Sequence, residues 1–269
     1  MPEGLREALG QFRDRFACNN ISGCAAERAL HDFGWQARPL VQQIFDRAPE
    51  QSGYRSRAVR VVAELADPQG REFLRARLTD TDPEVRAYAI YGLGLIDDRT
   101  LQPALATIAR DDPSAWMAPV RLSALWLAQR WGDATAARAF IVQLGLLAEQ
   151  HLAVTGLVWG LTLCGRGDGL DCSRALPAVA RHPNFQVRRA VARAMAAAPL
   201  PSHAAGLVGL TAESAHSISD AAESGLRLLS GLDLHGHAAW AGWCAANQCE
   251  RAADDAVRAL HAEATRTSL

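Results

Sequence analysis

The sequence predicts an all-α protein, a right-handed α-solenoid of stacked antiparallel helix pairs. Three observations carry that prediction. Apolar residues, valines above all, recur at helical spacing and not in the alternation of strands. A short motif returns along the chain at a near-constant step. Hydrophobic residues make up 49% of the 269 positions, ample for a large core. No run approaches the roughly 18 apolar residues of a transmembrane helix.

The motif is clearest in Thr79 to Asp98, TDTDPEVRAYAIYGLGLIDD. Asp82 is placed to accept orphan backbone N–H groups as an N-cap, and Pro83 suits the first helical turn. Val85, Ala89, Ile90 and Leu93 then fall on one helix face. Such a helix cannot bury that face alone. Copies begin at Tyr54, Val85, Val120, Val154, Val187, Ile218 and, degenerately, Cys249, so the step is 31 to 35 residues. Each step holds two helices, as in an α-solenoid.

The opening Met1-Pro2-Glu3 lacks the apolar segment of a signal peptide, so the expectation is a cytosolic chain or one whose leader has been removed. Leu5, Leu9, Phe12 and Phe16 form a first amphipathic helix. A second runs through Leu30 to about Phe33, and a third opens at Pro39. Residues 1–53 fit no repeat and read as capping helices; residues 54–264 are the repeats, and 265–269 a frayed tail. Partner helices of the repeats are expected at Pro68–Leu78, Leu101–Arg110, Ala134–Ala148, Ser173–Arg181 and His203–Thr211.

The order Asp80-x-x-Pro83-x-Val85-Arg86-x-x-Ala89-x-x-x-Leu93-Gly94, closed by Asp97, resembles the short HEAT-like repeat, a type also found in phycobilin lyases. The resemblance covers roughly residues 54 to 264, with good matches in three copies. It implies a fold. It implies little about function, because the motif residues are structural. The frames of tetratricopeptide and ankyrin repeats are missing. The repeated Arg55, Arg86, Arg121 and Arg188 are read as pairing with turn acids such as Asp80 and Asp112, or with turn carbonyls.

The cysteines form three local pairs, Cys18/Cys24, Cys164/Cys172 and Cys244/Cys249, each bracketing a predicted turn between helices. That placement brings two Cα atoms within disulfide range. We read three disulfides, hence a periplasmic or secreted protein. The alternative is buried reduced cysteine in a cytoplasmic chain. Metal binding is the competing use of His235, His237, Cys244 and Cys249, but neighbouring HxH side chains on a helix diverge, and no metal site is assigned.

Catalytic signals are weak. Gly165-Arg166-Gly167-Asp168-Gly169 follows a helix and lacks a phosphate-loop pattern; its Arg-Gly-Asp is too short to be specific. No GxSxG, HExxH or EF-hand loop occurs, and no cofactor or catalytic residue is assigned. Net charge is −1 and every one of the 28 basic residues is Arg, so no polyanion partner such as nucleic acid is indicated.

Counting from the first residue of each copy, positions 0, 4, 5 and 8 form the core set, and positions 3 and 6 should lie off it. Those positions bring Arg57, Arg60, Tyr88, Tyr91 and Trp126 together as a candidate concave stripe. The structural alternative is that the rings fill gaps between repeats. The favoured function is a non-enzymatic scaffold binding a protein or peptide outside the cytoplasm. The second class is an enzyme, implied by the resemblance alone: a bilin lyase or isomerase, or a DNA glycosylase.

Overall fold

The computed structural model describes residues 3–13, 25–48, 53–112, 119–149, 154–166, 170–173, 175–255 and 258. The described residues are helical and turn structure without strands. The chain divides into two compact units, Met1–Ser114 and Ala115–Leu269.

In the first unit the helices are α1 (Glu3–Arg13), α2 (Ala25–Asp32), α3 (Arg38–Arg47), α4 (Gly53–Glu64), α5 (Arg71–Arg75), α6 (Pro83–Leu95) and α7 (Leu105–Asp111). The start of α6 follows the motif. Asp82 is extended, and its carboxylate accepts the Glu84 N–H at 2.8 Å while Pro83 opens the helix. Val85, Ala89, Ile90 and Leu93 are all buried. The partner helices are shorter than the sequence suggests. Asp67 caps a 3₁₀ turn that opens at Pro68, and Pro103 sits in another, so α5 and α7 begin only at Arg71 and Leu105. Helix α6 packs on α4 and on α5.

The second unit holds α8 (Pro119–Arg130), α9 (Ala134–Glu149), α10 (Val154–Cys164), α11 (Leu176–Val179), α12 (Phe185–Ala197), α13 (Ala204–Leu210), α14 (His216–Ser230) and α15 (His237–Ala246). Here α8, α10, α12 and α14 form the inner row, each packing on the next. Asn184 repeats the cap of Asp82, accepting the Gln186 N–H at 2.8 Å. Val187, Val191 and Met195, then Ile218, Ala222 and Leu226, are buried at the motif positions.

One copy sits out of the expected register. Val154 and Val158 are half-buried and Thr162 is exposed, whereas Leu157 and Leu161 are buried. The buried face is therefore one residue earlier. Helix α10 is apolar nearly all round, so its periodicity does not mark the inner face.

Candidate interaction surfaces

The repeated arginines are structural. Arg55 reaches Asp80 at 2.6 Å. Arg86 grips Asp112 through both Nε (3.0 Å) and Nη2 (2.9 Å), and its Nη1 donates to the carbonyls of Asp80 (2.7 Å) and Thr81 (3.2 Å). Arg188 repeats that geometry in the second unit. It holds Glu213 at 2.6 and 3.2 Å and donates to the carbonyls of His182 (3.0 Å) and Pro183 (2.6 Å). The Arg86 and Arg188 guanidinium groups thus each staple their own entry turn to the next turn in the row, using the planar fork that suits carboxylates. Arg121 bonds Gln143 at 3.2 Å, and the turn before its helix lies outside the described residues.

Two further pairs lie outside the motif. Arg38 meets Asp67 at 2.6 Å, and Arg75 grips Asp98 at 2.7 and 2.8 Å. The bond from Arg75 holds the Asp98 carboxyl below its ordinary pKa against the opposing effect of burial. The sequence offered one signal for them, an Asp closing a helix or preceding Pro68, without marking which Arg answers it.

The five stripe residues separate. Tyr91 and Trp126 are completely buried, so neither presents a ring to a partner. Tyr91 lies in the first unit and Trp126 in the second. The reason is the width of the buried arc. A helix flanked on both sides within a row buries far more than one stripe, and along α6 residues 85–87 and 89–94 are all buried. Trp126 carries Arg130 over its ring at 5.7 Å.

Arg57, Arg60 and Tyr88 remain half-buried on α4 and α6. Arg57 lies over Phe12 at 4.8 Å and over Tyr54 at 5.8 Å. Burial lowers its pKa. Burial raises the Tyr88 pKa against the opposing pull of the neighbouring Arg60. Glu84 adjoins them; burial, with the nearby Asp82 charge, raises its pKa against the pull of Ser56 and Arg60.

A cleft of about 310 Å³ opens in the second unit between the turn before α12 and the face of α13. Arg181, His182, Arg188, Gly206, Gly209 and Glu213 line it. His182 is buried, and its Nδ1 accepts the Asn184 N–H at 3.1 Å. The Arg188–Glu213 pair closes one side of the cleft.

The cysteine pairs also diverge. Cys164 and Cys172 are joined in a disulfide, with Cα atoms 5.8 Å apart. Cys18 and Cys24 lie outside the described residues, as do Gly167, Asp168 and Gly169 and the tail from Ala264. Cys244 and Cys249 are not bonded to each other as the spacing suggested. Both are free, buried thiols in this structure. Burial, then the hydrogen bond with Cys249, pushes the Cys244 thiol up to about 12. Among the described residues no group of three or more His, Cys, Asp or Glu is placed to hold a metal. None of the described helices is long and apolar enough to cross a membrane.

Fold and ion-pair geometry together define an α-helical repeat protein of the solenoid class. A family model of HEAT repeats matches residues 37–126. No curated protein and no solved structure matches the chain.

Proposed function

We propose that the protein is a non-enzymatic scaffold that binds a protein or peptide along the faces of α4 and α6, and that it works outside the cytoplasm. One observation carries the binding reading. Arg57, Arg60 and Tyr88 are each partly exposed on α4 and α6, two helices that pack directly on one another. Arg and Tyr are enriched where interfaces concentrate their energy. Two guanidinium groups beside a phenol suit an extended peptide that carries an acidic side chain. The Cys164–Cys172 disulfide supports an oxidising compartment.

The test is affinity capture from the periplasmic or secreted fraction of the source cells, followed by titration of the captured partner. The double variant Arg57→Ala, Arg60→Ala should weaken binding at least tenfold. Binding unchanged by that variant removes the α4–α6 surface. Pigment binding or a DNA mobility shift by the wild-type chain would replace the scaffold with an enzyme reading.

A further inference from the structure

We propose that Cys244 and Cys249 are an oxidation site, a dithiol that closes to a disulfide by exchange with a small-molecule disulfide such as oxidised glutathione. The sequence treats the three cysteine pairs alike; the structure separates this one from Cys164–Cys172, which is already joined.

The backbone sets the approach of the two sulfurs. Helix α15 ends at Ala246, and the chain resumes helical conformation at Cys249. Between them the Asn247 N–H donates to the carbonyls of Trp243 (3.1 Å) and Cys244 (3.2 Å). The Asn247 side-chain amide donates to the Trp243 carbonyl at 2.8 Å. Gln248 takes a left-handed φ of 53°, which interrupts the helix between the two cysteines. Across this turn the Cys249 side chain lies close enough to Cys244 to raise its pKa. Both side chains are buried, at 6% and 4% exposure. The turn is nonetheless superficial. Ala245, Ala246, Asn247, Gln248 and Glu250 are all exposed, so a local opening admits a small oxidant.

The chemistry balances. One cysteine, as thiolate, attacks a sulfur of the small disulfide, and one small thiol leaves. The second cysteine, also deprotonated, attacks the protein sulfur of the mixed disulfide. The Cys244–Cys249 bond forms and the second small thiol leaves. The protein gives up two electrons and two protons, and one small disulfide becomes two thiols. Because burial and the neighbouring Cys249 raise the Cys244 pKa, exchange is slow at neutral pH and quickens as pH rises. The new bond would tie α15 to the helical residues 249–255. Helix α15 already packs on α13, where His237 Nδ1 lies 3.1 Å from both Thr211 Oγ1 and the Val208 carbonyl.

The full-length chain would be equilibrated in graded ratios of reduced to oxidised glutathione, quenched with acid, alkylated in denaturant, and read by intact mass and peptide mapping. The expected product is lighter than the dithiol form by two hydrogen atoms, contains a Cys244–Cys249 cross-linked peptide, and is reversed by dithiothreitol. In Cys249→Ser the reaction should stop as a glutathione adduct on Cys244. Full alkylation of both thiols at the most oxidising ratio overturns the proposal. So does a wild-type end product in which either thiol carries glutathione or is joined to another cysteine. These wild-type outcomes decide the matter even if Cys249→Ser folds poorly.

Discussion

A Cβ built on Gly92 would lie 2.7 Å from the Cβ of Ala63 and 2.8 Å from its Cα. The same contact recurs in the second unit, where a Cβ on Gly225 would lie 3.0 Å from the Cα of Ala196. Each Gly stands seven residues after the first residue of its copy (85 and 218), and each Ala nine after the first residue of the preceding one (54 and 187). Adjacent inner helices thus meet backbone to backbone at an equivalent point in both units.

Gly92→Ala should destabilise the protein by about 1–3 kcal/mol, since overpacking outweighs the roughly 1 kcal/mol of helix propensity that Ala adds. Gly209→Ala is the control. It is helical, exposed, and a Cβ there meets nothing within 4 Å. That substitution should be neutral or stabilising by about 0.4–1 kcal/mol. Urea unfolding of both variants checks the pair, and equal losses would remove the close-approach explanation.

Arg86→Met should cost about 3–5 kcal/mol, because it leaves the nearly buried Asp112 carboxylate without its bidentate partner and frees two turn carbonyls. Arg86→Lys should recover only part of this, since an ammonium cannot span both carboxylate oxygens and the two carbonyls. A double-mutant cycle with Asp112→Asn measures the coupling. A coupling energy near zero would show that the staple is incidental.

Acid should weaken the protein through His203. Its ring is buried, and its Nδ1 accepts the Leu200 N–H at 3.3 Å. Burial lowers its pKa against the favourable pull of the Ser173 backbone and Asp171. The unfolded chain therefore takes up the proton first. This contribution is complete above the unfolded value of 6.5 and is lost as pH falls from there towards the lower folded pKa. His203→Gln should flatten the stability profile over that window, as read by urea midpoints against pH. A slope identical to that of the wild type would assign the acid sensitivity elsewhere.

Glu84 should act with the opposite sign. Its folded pKa is raised, chiefly by burial. Its favourable contribution is full below the unfolded value of 4.5 and is lost as pH rises through the folded pKa. Glu84→Gln should accordingly gain stability at neutral pH relative to wild type and lose that advantage near pH 4. Thermal midpoints at the two pH values test this.

Much of the fold was legible along the chain. Asp82-Pro83 and Asn184 announce helix starts because capping is a contact within three residues. Arg55 and Arg86 pair with Asp80 and Asp112 as their recurrence suggested, since a buried guanidinium needs an acid or a carbonyl within reach. The cysteines flanking the turn after α10 were close enough in sequence to close a disulfide.

Tertiary packing decided the rest. Tyr91 and Trp126 look like surface residues on a helical wheel, yet neighbours on either side of each inner helix widen the buried arc to include them. The true inner face of α10 and the short span of α11 within Ser173–Arg181 depended on which neighbours pressed against them, not on local periodicity. Likewise, equal spacing could not tell the joined Cys164–Cys172 from the free Cys244 and Cys249. Helix formation and capping are settled within a few residues of chain. Exposure and sulfur geometry are set by how helices distant in sequence enclose a residue, and so belong to the assembled fold.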